Sequence, residues 1–183
     1  MLSWHQDGEE HTMPVAILIG ASGSGKTTIA QAIAERFSAN VEVLFFDRIG
    51  VPSFEDMVRE YGSSEAWQRA KTIEWMSTLA KIAATGRKVV FEGQTRLAFV
   101  AEGAAAAAWF DYIPILVDCD DETRARRLTI DRQQPELANP EMMSWANYLR
   151  REAKASGCDI LDTSAVSLDQ AISYVIARAF TPL

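Results

Sequence analysis

From residue 15 onward the apolar positions follow two alternating rhythms. Short apolar runs occupy 15–19, 41–46, 88–92 and 112–117, and a fifth, more polar run lies at 159–163. Runs of this length, rich in Val, Ile and Leu, predict strands buried on both faces of a parallel sheet. Between them the spacing becomes helical. Ile29, Ile33 and Phe37 share one stripe of the segment 26–37. Ala66, Ala70, Ile73, Met76, Leu79, Ala80 and Ala83 form a longer stripe over 65–85, closed by Gly86, where a helix C-terminal glycine belongs. An alanine-rich helix is predicted over 97–109 from intrinsic propensity. Capping residues open the others: Ser53 with Asp56 for a short helix ending at Tyr61, Asp120 for a helix to Arg132, Asn139 followed by Pro140 for a helix ending at Gly157, and Ser167 with Gln170 for the last. Pro114 is awkward inside a central strand and predicts a first-turn position or a bulge. Strands alternating with helices in this way predict an α/β fold, a three-layer α/β/α sandwich on a five-stranded parallel sheet. Right-handed crossovers then leave every strand's C-terminal end on one edge, where such folds bind ligands.

One connection carries chemistry on its face. After the first run come Gly20, Ser22, Gly23, Ser24, Gly25, Lys26 and Thr27, which satisfy the pattern G-x-x-x-x-G-K-[ST], and Thr28 is next in the chain. A strand, a glycine loop and a helix N-terminus make an anion site, because amides and the helix dipole both face the incoming charge. Lys26 can reach β- and γ-phosphates, and the Thr27 hydroxyl can ligate an accompanying Mg²⁺. A ligand-free turn would not need Lys and Thr directly after the third glycine.

Composition narrows the rest. The 183 residues carry 25 acidic against 18 basic side chains, a net charge of −7. That argues against broad nucleic-acid or membrane-surface binding while leaving room for a local basic pocket. The thiols of Cys119 and Cys158 show no metal spacing and read as reduced, in keeping with a cytoplasmic protein. No run reaches the roughly 18 apolar residues of a membrane helix. Residues 1–13, with His5 and His11, read as a polar, flexible leader before a single domain over 14–183, with Met13 a candidate start.

At the predicted sheet edge the glycine loop meets Asp47, Glu92 with Arg96, and the Asp118 region. Glu92 ends an apolar strand and is placed to serve Mg²⁺, alongside Thr27; an acid that merely ends a strand is the alternative. The segment Glu92, Gly93, Gln94, Thr95, Arg96 resembles the Asp-Gly-x-Pro-Arg segment of the P-loop nucleoside monophosphate kinases, with Glu for Asp and Thr for Pro. The resemblance spans the chain from residue 15 and implies a nucleotide-kinase-like P-loop NTPase using ATP and Mg²⁺, with Arg96 gripping an acceptor phosphate. The related shikimate and gluconate kinases place a substrate-binding or base aspartate where Asp47 lies, beside Arg48; pairing of Asp47 with Arg48 is the structural alternative. The resemblance also makes 51–85 the acceptor-binding helical insertion and about 124–140 a short lid. Within that lid Arg127 and Arg132 are the candidates to touch phosphate, and Arg150 or Arg151 faces the site. Thr163 would lie near the base. Trp67 lines the acceptor pocket or packs in the core; Trp75, Trp109 and Trp145 read as packing residues.

Together these features predict transfer of the γ-phosphate of Mg-ATP to a small acceptor by a monomer or homodimer with no membrane or nucleic-acid partner. Arg96 and the longer matching segment favour a nucleotide or nucleoside acceptor; Asp47 favours a non-nucleotide hydroxyl. A P-loop ATPase or switch without an acceptor is the third reading.

Overall fold

The computed structural model describes residues 14–180, so the predicted leader, with His5 and His11, lies outside the described residues. Five parallel strands form one sheet in the order β2-β3-β1-β4-β5: β1 Val15–Ile19, β2 Val41–Phe45, β3 Lys88–Gly93, β4 Tyr112–Asp118 and β5 Asp159–Asp162. The helices are α1 Lys26–Arg36, α2 Phe54–Tyr61, α3 Ser64–Ala83, α4 Leu97–Ala106, α5 Asp121–Arg126, α6 Pro140–Ser156 and α7 Leu168–Phe180. Alternate residues of β1 point into separate cores. Val15, Ile17 and Ile19 pack with α3, α4 and α6, whereas Ala16 and Leu18 pack with α1 and α7. The predicted three-layer sandwich is the observed one. Among the described residues no helix is long and apolar enough to cross a membrane.

Most predicted boundaries hold because local chemistry sets them. Ser53, Ser63, Asp120 and Asn139 each accept a backbone N–H of the following turn. Ser167 and Gln170 close both arms of a capping box, at 3.2 and 2.9 Å. Three expectations are corrected. Pro114 makes no bulge: it pairs with Ile17 of β1, and β5 joins β4 only from Ile115, so the missing N–H faces no strand. The alanine-rich helix stops at Ala106, and a turn carries the chain to β4. The stripe on α3 is the third. Met76, Leu79 and Ala83 are fully buried, each large side chain contributing about 1.5–3 kcal/mol. Ala66, Ala70, Ile73 and Ala80 are only half-buried, and Trp67 and Thr72 are buried instead. Trp67 meets Phe46 edge-on at 5.8 Å, so it is a core residue. α4 lies close against α3 because Gly103 has no side chain; a Cβ there would sit 2.7 Å from Met76 Cγ.

Candidate functional site

Every strand ends on one edge, and the loop between β1 and α1 occupies its centre, flanked by β3 and β4. Gly25, at φ 94°, caps α1 without any side-chain hydrogen bond, and no acidic residue lies in the first turn. The helix therefore presents its positive end with nothing built in to neutralise it. Lys26 sits in that turn and is only 9% exposed. Burial pulls its ammonium below the ordinary lysine value, against the pull of Glu92 and Asp47, and Arg132 adds to the depression. A cation placed where both dipole and burial disfavour it is an arrangement that an arriving anion relieves. The Ser24 hydroxyl is likewise buried with no partner among the described residues. Gly20 closes the loop's underside, where a Cβ would lie 2.4 Å from the Val117 carbonyl oxygen.

Glu92, at the end of β3, lies 3.7 Å from Lys26 Nζ and accepts a 3.3 Å hydrogen bond from Thr27 Oγ1. Burial raises its carboxyl above the usual range; Lys26 opposes this and Asp47 reinforces it. The Thr27 hydroxyl and the Glu92 carboxylate form a pair of oxygen donors of the kind Mg²⁺ accepts together with water and phosphate oxygens. The described residues contain no cluster of three or more His, Cys, Asp or Glu that could hold a metal ion. Asp47 lies in a 3₁₀ turn just past β2 and is exposed. Its carboxylate accepts no hydrogen bond among the described residues, yet its charge reaches both Lys26 and Glu92.

Behind the loop is a network that sequence patterning does not reveal. Arg124 is wholly buried, donating to the Ser22 carbonyl at 2.8 Å and to Asp118 Oδ1 at 2.6 Å. Arg150 of α6 donates to the other oxygen of Asp118, also at 2.6 Å. The Gln94 side chain accepts from the Ser22 hydroxyl, and its backbone carbonyl accepts from Gln68 of α3, tying the loop to α3.

The expected lid arginines part company. After α5 the chain widens into a π-helical turn, Arg127–Asp131, closed by Arg132 N–H to the Arg127 carbonyl. Arg127 borders the same cavity as Arg132, with its guanidinium engaged by protein oxygens. It donates to the Gly23 and Ser24 carbonyls and to both the hydroxyl and carbonyl of Thr163, locking the loop to the end of β5. Thr163 Oγ1 in turn lies 2.7 Å from the Ser24 carbonyl oxygen. Arg132 is exposed, without a hydrogen bond from its side chain among the described residues, and lines a cavity of about 470 Å³ with Gly25, Thr28, Thr163 and Val166.

The two arginines expected to bind an acceptor are engaged elsewhere. Arg48 stacks on Phe45, whose ring belongs to the core on the α1 and α7 side. Arg96 pairs with Glu65 at 2.9 Å and lies against the rings of Phe99, Trp145 and Tyr148.

A parallel sheet with a glycine loop feeding a helix that carries a buried lysine and a threonine defines a P-loop α/β protein. Residues 17–156 match the model of the AAA domain family, and the chain belongs to that family. It is similar to a shikimate kinase of Salinispora tropica, 33% identical over 91 residues, which are 48% of this chain and 54% of the relative. The match thus spans about half the length of that curated protein. In fold it resembles a shikimate kinase from Acinetobacter baumannii in complex with shikimate, with a TM-score of 0.61 and 17% identity over 91% of this chain and 93% of that one. It also resembles an unliganded sugar kinase from a Janibacter species, with a TM-score of 0.63 and 18% identity over 90% and 93% of the two chains.

Proposed function

We propose that this chain is an ATP-dependent kinase that moves the γ-phosphoryl group of Mg-ATP onto a hydroxyl of a small, non-nucleotide molecule. The observation that carries the reading is the placement of Asp47: a carboxylate free of hydrogen bonds among the described residues and open to solvent, within electrostatic reach of Lys26 and Glu92 at the mouth of the loop. A general base needs such freedom, and an acceptor hydroxyl is the group that needs a base. The expected lean toward a nucleotide or nucleoside acceptor gives way, because Arg96 is held by Glu65 and three rings rather than free to grip a phosphate. The names of the relatives, shikimate kinase and sugar kinase, support a hydroxyl acceptor as well.

Loop amides and Lys26 bind the β- and γ-phosphates, and the free Ser24 hydroxyl is one further donor at the loop. Thr27 and Glu92 would hold Mg²⁺, directly or through water; the ion would supply charge neutralisation on the triphosphate. Asp47 accepts the proton of the acceptor hydroxyl as that oxygen bonds to the γ-phosphorus and the bond to the β–γ bridging oxygen breaks, releasing ADP. Arg132 is placed to answer charge that develops on the transferred group. In this reading α2 and α3 form the acceptor side, and the segment from α5 to α6 forms the short lid.

Coupled measurement of ADP release across hexoses, polyols, sugar acids, nucleosides and nucleoside monophosphates tests the proposal. Hydroxyl compounds should be phosphorylated, Lys26→Ala should abolish turnover, and Asp47→Asn should lower kcat by roughly 10²-fold or more at similar KM. Phosphorylation of a nucleoside monophosphate alone, or ATP hydrolysis indifferent to every acceptor, would reject it.

A further inference from the structure

The cations of α2 and of the site-side turns of α3 are already paired. On α2, Arg59 pairs with Asp56 and Glu60. On α3, Arg69 pairs with Glu102 of α4, and Lys71 pairs with Glu74 at 2.8 Å. Lys81 lies in the last turn of α3, which leads to the N-terminal end of β3 and so to the edge opposite the site. Arg150 spends its three donor nitrogens on Asp118, Asn147 and the Cys119 carbonyl. Arg48 belongs to the other face of the sheet.

Arg96 is held by one carboxylate and three rings. Its Nη2 donates to Glu65, its Cζ lies 5.3, 5.7 and 5.1 Å from the centres of the Phe99, Trp145 and Tyr148 rings, and its Nε is buried with no acceptor among the described residues. A guanidinium enclosed this way meets ring faces and one carboxylate, and an acceptor anion would compete with Glu65 for it. Asp47 and Glu55 meanwhile stand outside any ion pair among the described residues, so the charge left uncompensated on this side is negative. A carboxylate or phosphate on the acceptor would meet these acids and find no unpaired cation on α2 or on the site-side turns of α3.

We infer that the acceptor carries no anionic group: it is a neutral or amino-bearing hydroxyl compound, and Glu65 is the residue that excludes acids by holding Arg96. The inference rests on the kinase reading but separates this chain from enzymes whose acceptors are acids. It is tested by calorimetry with shikimate, D-gluconate and D-ribose 5-phosphate as probes, added to the full chain saturated with Mg²⁺ and a non-hydrolysable ATP analogue. Wild type and Glu65→Gln are compared, and Glu65 is exposed enough that the variant keeps its fold. The expected result is no measurable binding of the three acids to wild type and a gain of at least about tenfold in affinity for one or more of them in Glu65→Gln. Binding of any of the acids to wild type, or no gain in the variant, overturns the inference. Failure of the ATP analogue itself to bind would instead strike at the kinase reading.

Discussion

Asp118 holds two arginines at once, and replacing it by Asn is the sharpest test of how the loop is supported. In Asp118→Asn the shape is nearly kept, but the charge that answers Arg124 and Arg150 is removed. Arg124 has no exposed surface, so its guanidinium would be left with only the carbonyl oxygens of Ser22 and Cys119, at 2.8 and 3.4 Å. Breaking a buried pair by removing one partner costs about 3–5 kcal/mol, because a charge is left buried without its counterpart. In a chain of this size each kcal/mol lowers Tm by about 2–4 °C, so a fall of roughly 6–20 °C is expected by calorimetry or circular dichroism. Arg150→Met should cost less, since Arg150 is partly exposed and Asp118 would still answer Arg124. Because Arg124 also holds the Ser22 carbonyl, Asp118→Asn should weaken Mg-ATP binding along with stability. A Tm within about 2 °C of wild type would refute the reasoning; it would mean that water or a rearranged side chain serves Arg124 as well as Asp118 does.

Two more outcomes come from local geometry. Gly20→Ala places a Cβ 2.4 Å from a backbone oxygen and 2.7 Å from Ser24 Oγ, so it should destabilise the fold by about 1–3 kcal/mol and weaken nucleotide binding; an unchanged urea midpoint with unchanged Mg-ATP affinity would contradict this. Burial pushes the Cys158 thiol up to about 11 and raises that of Cys119 as well. At pH 8 only on the order of one Cys158 in a thousand would be thiolate, so neither thiol should react promptly with Ellman's reagent in the native protein, both should react in urea, and native Cys158 should become reactive as pH rises toward 11. Rapid native labelling of either thiol at pH 8 would show that its packing is looser than the structure has it.

The features legible in the sequence were those set by neighbours in the chain. The glycine loop is a matter of backbone freedom and adjacent side chains, and the caps at Ser53, Asn139 and Ser167 act within three residues, so pattern alone locates them. The stripe on α3 held only in part. Met76, Leu79 and Ala83 are buried, but Ala66, Ala70 and Ala80 are apolar and too short to reach the core from the rim, whereas Trp67 reaches Phe46 and Thr72 meets Thr95 at 2.6 Å. Asp118 was visible only as a residue at a strand end, because its partners arrive from α5 and α6. Nothing in the composition of 127–131 announces a π-helical turn, and Gln94 and Gln68 look like ordinary polar positions until the fold joins them.

Arg124, Arg127 and Arg132 show why charge density along the chain is a poor guide to where each cation sits in the fold. Read along the chain, they belong to one basic stretch fit to close over a triphosphate. Placed in the fold, they take up three levels of burial with three consequences. Arg124 is sealed beneath the loop and fixes the Ser22 carbonyl. Arg127 is half-buried and bonds the Gly23 and Ser24 carbonyls to Thr163, so it sets the shape of the anion cradle. Arg132, of the three, keeps its donors free of the described residues, and it lies one residue past the point where the helix widens. A π-helical turn adds a residue to the turn and so re-aims the side chains beyond it. One helix can thereby serve the loop from below with Arg124 and border the cavity with Arg127 and Arg132. The two more buried arginines hold carbonyl oxygens from behind the loop, and those bonds help to fix the loop so that its N–H groups can face a phosphate chain. In the proposed transfer they would act on the anion through the backbone they hold, and Arg132, free of such duties, is the cation proposed to track the charge as it moves.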